Sequence, residues 1–175
     1  MFMVFRASLL LLLSQACFAV DSHQLLGNDA NELSQQSQFN LTITPDGKGL
    51  PVGKGSAAQG AKLFYQKCSS CHGPGAIGAS AEPLVGEVGS LNSTYPEKTV
   101  NSYWPYATSL FDYIRRAMPI NAPFSLTPDQ VYSLSAYILS QDGIIPIDIE
   151  LNEESLPKII MPNRDGFISF YPDKN

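Results

Sequence analysis

Charge and thiols are what this 175-residue sequence has least of. Charged residues make up 15% of it, and its 11 Lys and Arg face 16 Asp and Glu, for a formal net charge of -5. An acidic balance with scattered bases offers no stripe along which a nucleic-acid backbone could be neutralised, so DNA and RNA drop out as partners. No apolar run approaches the roughly 20 residues that comfortably span a bilayer. At 44% apolar the chain is too hydrophobic to stay disordered, and its length suits one ordinary domain better than two. What it has in plenty is glycine and proline, 13 of each, which interrupt helices and strands throughout and leave open how a core is held together.

The first nineteen residues stand apart. One base, Arg6, precedes the Leu9 to Leu13 run, and Cys17-Phe18-Ala19 sets small residues at the third and first positions before Val20. This is the layout of a cleaved secretory signal, residues 1–19, and it predicts an exported, periplasmic chain that does not span the membrane after cleavage. Ser14 stands where a lipid-modification signal would have Leu, which disfavours a lipid anchor on Cys17. Cleavage leaves ten bases against sixteen acids, a net -6.

Export sharpens the meaning of the cysteines. Only Cys68 and Cys71 remain, with two residues between them, and a disulfide across so short a loop would constrain almost nothing. Cys68-Ser69-Ser70-Cys71-His72 is the attachment pattern of a c-type haem. Two thiols a short turn apart reach the two vinyl groups on one porphyrin edge, and the adjacent imidazole swings under the iron. Zinc would need more ligands than His23, the remaining histidine, can supply. A thiol-disulfide oxidoreductase using Cys68 and Cys71 would need a helix running on through the pair, where Gly73-Pro74-Gly75 stops it.

The second axial ligand follows by elimination. The mature chain offers Met118 and Met161, with His23 as an outside candidate. Met118 is preferred: it follows a helical segment, and Pro119 stiffens the strap carrying it. Met161 lies beyond the last helix, and its plain alternative is a buried apolar contact. His/Met ligation raises the iron potential and leaves no open position, which favours electron transfer over chemistry at the iron.

Three helices frame these residues. Ser56-Ala57-Ala58-Gln59 reads as a capping box opening a helix that ends at Cys68. Gly60 inside it predicts close approach by another helix, since glycine there otherwise costs about 1 kcal/mol. The expected partner starts at Thr127-Pro128-Asp129-Gln130, turns Val131, Leu134 and Ile138 to one face, and stops at Gly143. Between them a helix runs from Ser109 to Arg116, and Arg115 and Arg116 read as a solvated pair, with a haem propionate as the alternative partner of one of them.

Gly60, Phe64, the Cys68 to His72 site, Met118-Pro119, Leu134 and Tyr137 together resemble a class I cytochrome c. A closer resemblance runs from Gly49 to Phe167. It is carried by the segments Gly49 to Ala57, Lys98 to Thr108, Phe111 to Pro119, Leu156 to Lys158 and Met161 to Phe167, and points to the cytochrome subunits of sulfite and sulfane dehydrogenases. That resemblance implies an all-α fold around one covalent haem c, held by Cys68 and Cys71 with His72 and Met118 on the iron. It implies a molybdopterin-containing partner subunit that performs the catalysis, a downstream cytochrome or oxidase, and no enzymatic activity in this chain itself. With no cysteines for a second site, the single-haem form is the one resembled. A free-standing electron-carrier cytochrome is the alternative.

The expected layout is a signal over 1–19, an N-terminal extension over 20–48, a haem domain over 49–143 and a C-terminal strap over 144–175. The strap is punctuated by Pro146 and Pro157. Two roles for it stand equal: docking the catalytic subunit, or covering the domain's own core.

Overall fold

Capping boxes start two of the three longest helices of the computed structural model, which describes residues 42–168 and 170. The expected signal, Cys17, His23 and most of the N-terminal extension lie outside the described residues. Strand β1, Lys54–Ser56, leads directly into α1, Ala57–Lys67, where the Ser56 hydroxyl accepts from the Gln59 amide and the Gln59 side chain accepts from the Ser56 amide. A one-turn helix α2, Ser69–His72, follows, and later α3, Val100–Tyr103, and α4, Ala107–Ala117. Helix α4 begins two residues before the expected Ser109, because Tyr106 already has the extended backbone of a cap residue. Helix α5, Pro128–Gln141, opens on the Thr127–Gln130 capping box with proline in its first turn.

Helices α1 and α5 cross at close range. A methyl group placed on Gly60 would run into the carbonyl of Ser133 and come within 2.7 Å of Tyr137 Cβ. Gly55 of β1 meets the same turn of α5 at Ser133 and Asp129. Alongside, the rings of Phe64 and Tyr137 lie 5.1 Å apart, and the Phe111 ring of α4 packs against Tyr132 at 4.5 Å, tilted by 45°. Tyr132 is buried with its ring in this core, and its hydroxyl satisfies itself by donating to the Pro51 carbonyl at 2.9 Å. Val131, Leu134, Ile138 and Leu139 complete the buried face of α5.

The expected strap is more than a surface run. Strand β2, Glu150–Asn152, pairs antiparallel with β1 and sets Leu151 opposite Gly55. Tyr106 and Ile160 form an isolated bridge, and the Asn163 amide donates to the Tyr103 carbonyl at 2.7 Å. Leu151, Leu156 and Met161 are buried at 1% exposure or less, so the tail closes the core of its own domain. At the other end Ile43 and Leu50 pack against the same core. The tail's anchoring carries an expected result: Leu156→Ala should destabilise the fold by about 2–5 kcal/mol in chemical denaturation, where a residue of a surface strap would cost within about 0.5 kcal/mol.

Candidate haem site

Helix α1 delivers the first thiol. Cys68 caps it, with its amide bonded to the Phe64 carbonyl at 2.9 Å, and its half-buried side chain packs against the core. The chain then turns once: the amides of Cys71 and His72 both donate to the Cys68 carbonyl, at 3.1 and 2.9 Å. Gly73, at φ +73°, breaks the turn, as its backbone conformation is one that residues with a side chain rarely adopt. Cys71 is exposed, and neither thiol is in a disulfide.

The loop that follows folds back on this turn. The Gly78 amide bonds the His72 carbonyl at 2.8 Å and the Ala81 amide bonds the Cys71 carbonyl at 2.8 Å. This brings the Glu82 carbonyl 3.0 Å from His72 Nδ1. A carbonyl can only accept, so Nδ1 carries the proton and the lone pair is left on Nε2, the nitrogen free to bind a metal. The imidazole is thus fixed in tautomer and orientation by a main-chain atom. No side-chain signature announces a carbonyl, and sequence reasoning did not find it.

Met118 caps α4, its amide bonded to the Ile114 carbonyl at 3.0 Å. The side chain is half-buried against the core, as are Leu63, Leu84 and Trp104. The Met118–Pro119 peptide is cis, and the Ala122 amide closes the strap onto the Pro119 carbonyl at 2.8 Å. Met161, the competing thioether, is 1% exposed within the tail's core contacts. His23 lies outside the described residues. Arg116 is partly exposed and also paired: its Nε meets Asp112 at 2.7 Å along α4.

The donor set suits a covalent haem. Two unpaired cysteines flank the turn, an oriented imidazole follows them directly, and a half-buried thioether ends a separate helix. The other readings fare worse. An attacking cysteine must ionise near neutral pH, whereas burial pushes the Cys68 thiol up to about 11, only partly opposed by Lys67. Among the described residues, no three His, Cys, Asp or Glu side chains gather to hold a bare metal ion. An open cleft of about 610 Å³ lies among Pro45, Asp46, Tyr106, Glu153, Lys158 and Arg164, and none of the candidate haem residues lines it. Among the described residues no helix is long and apolar enough to cross a membrane.

Comparison with known proteins agrees with this geometry. The family model for cytochrome c matches residues 57–142, the stretch from the start of α1 to the end of α5. Among solved structures, a chain in the crystal structure of the sulfane dehydrogenase SoxCD from Paracoccus pantotrophus superposes with a TM-score of 0.73 at 38% identity. The match covers 85% of this chain and 72% of that one. No curated protein sequence matches.

Proposed function

This chain belongs to the cytochrome c family as a class I, mostly helical electron-transfer protein, and from that premise we propose that it is an exported, single-haem relay subunit of a molybdenum-dependent sulfite or sulfane dehydrogenase. The family implies a covalently bound haem c. When bound, that group supplies a one-electron couple. Cys68 and Cys71 would hold it through thioethers, His72 Nε2 and the Met118 sulfur would be its protein donors to iron, and the Glu82 carbonyl keeps the imidazole in register. With His72 and Met118 both given to the iron, the site would carry electrons and leave substrate chemistry to a partner.

The observation that carries the haem assignment is the His72 imidazole, fixed with Nε2 free directly beside two unpaired cysteines. The 38% identity to a chain of a sulfane dehydrogenase complex supports the sulfur-oxidising partner. The signal pattern of residues 1–19 supports export and a periplasmic location, and a single Cys-x-x-Cys-His supports one haem.

Expression of the full chain with haem-ligation machinery in a bacterial periplasm tests this. The expected product is red, cleaved after Ala19, with one haem per chain that survives acid extraction. A partner carrying a molybdenum cofactor should copurify from the native host and reduce that haem on addition of sulfite or sulfane sulfur. A colourless protein with two free thiols overturns the haem assignment. A red protein that purifies alone, and whose haem no molybdenum enzyme reduces, overturns the relay assignment and leaves a free-standing carrier.

A further inference from the structure

Glu82 lies on an exposed loop, yet its carbonyl has to hold one imidazole nitrogen steadily. On the near side the loop is tied to the cysteine turn and its continuation: the amides of Leu84 and Val85 donate to the Ala76 carbonyl at 2.9 and 3.3 Å. On the far side it is tied to α5. The Gly86 amide donates to Asp142 Oδ2 at 3.0 Å, at the C-terminal cap of that helix. The same carboxylate oxygen accepts from the Asn101 side-chain amide at 2.8 Å, and the Asn101 main-chain amide donates to the Leu84 carbonyl at 3.4 Å.

Asn101 is fully buried, and its amide nitrogen also donates to the Ile138 carbonyl at 2.8 Å. Both neighbours of that nitrogen, a carbonyl and a carboxylate, can only accept, so the amide cannot be turned over. Its Oδ1 is left buried with no partner. Leaving a buried acceptor unmatched is unfavourable, and what this position gains in return is a pair of donors that join α3 to the end of α5 and hold the Asp142 carboxylate where the Gly86 amide meets it.

We propose that Asn101 and Asp142 are positioning residues that set the strength of the His72–Glu82 hydrogen bond from two steps away, and through it the reduction potential. The proposal rests on the haem assignment to His72. A strong bond from Nδ1–H to a carbonyl raises the basicity of Nε2, which favours the more highly charged ferric iron and lowers the potential. Releasing Gly86 from the α5 cap, or loosening α3, whose Asn101 main-chain amide holds the Leu84 carbonyl, lets Glu82 drift, weakens that bond and raises the potential.

The holoprotein and three variants test this. Asp142→Ala removes the acceptor and the charge, Asp142→Asn removes the charge but keeps an acceptor oxygen for Gly86 and Asn101, and Asn101→Leu removes the donors without changing charge. Potentiometry reads the iron, and NMR of the reduced protein reads solvent exchange of the His72 Nδ1 proton. Asp142→Ala and Asn101→Leu should raise the potential and speed exchange on the order of 10-fold, the factor that corresponds to losing the net contribution of one hydrogen bond. Asp142→Asn should lie well below Asp142→Ala in both.

A purely structural role would lower thermal stability while leaving potential and exchange at the parent's values, and that result overturns the proposal. So does an Asp142→Asn protein indistinguishable from Asp142→Ala, since charge alone would then explain the shift. Should Asp142→Ala fail to accumulate, an unchanged potential in Asn101→Leu is decisive by itself. A colourless parent protein is a different failure, which overturns the haem assignment before any variant is compared.

Discussion

Met118→Ala should open the haem iron to outside ligands while Met161→Ala should not. The alanine variant at 118 is expected to lose the His/Met absorption signature, to bind carbon monoxide in the ferrous state where the parent does not, and to show a markedly lower potential. Axial ligands move haem potentials over a range of about 0.8 V, and a thioether pulls toward its upper part. Met161 is 1% exposed in the tail's packing, so Met161→Ala should keep the spectrum and instead lose about 2–5 kcal/mol of stability. The two variants therefore fail in opposite ways, and visible spectroscopy together with thermal unfolding separates them. The reverse pattern would move the axial sulfur to the tail.

The crossing of α1 and α5 sets up the second large effect. In an open helix, replacing glycine by alanine gains about 1 kcal/mol. At Gly60 the added carbon collides with the Ser133 carbonyl, a backbone atom that cannot swing aside as a side chain would. Overpacking of this kind costs about 1–3 kcal/mol and at times more, enough to reverse the sign. Gly60→Ala should thus lower the melting temperature despite its better helix propensity, and Gly60→Val, with two further methyl groups, should leave little folded protein. A raised melting temperature in Gly60→Ala would show that the helices have room to separate.

These features differ in how plainly the sequence announces them. Ser56 with Gln59 and Thr127 with Gln130 could be read directly, because a cap is a contact between residues three apart. Gly60 could be read because a costly residue in a helix needs a reason, and the neighbouring helix supplied it. The Cys68 to His72 turn was legible for the same local reason. Helix α3 was missed: Thr99 caps it, but with Ser102 rather than Glu or Gln closing the box, and four residues give no periodicity to see. Strand β2 was missed as well, since three residues show no alternation and its partner lies far off in the chain. The clamp of Asn101 and Asp142 could not be seen at all. Each looks like an ordinary polar residue until folding brings their side chains within 2.8 Å of each other.

The distance between β1 and β2 also says something about time. The Gly53 amide reaches the Glu153 carboxylate across 100 residues of chain, whereas the bonds that shape the cysteine turn join residues within about ten positions of one another. Loop closure makes long-range contacts the slower to form. As the polypeptide emerges, the turn bearing Cys68 and Cys71 can take shape while the segment holding Leu151, Leu156 and Met161 is still to come. If haem is attached at Cys68 and Cys71 as proposed, the late arrival of the last residues would leave a window in which the thiols are presented and the structure has not yet shut.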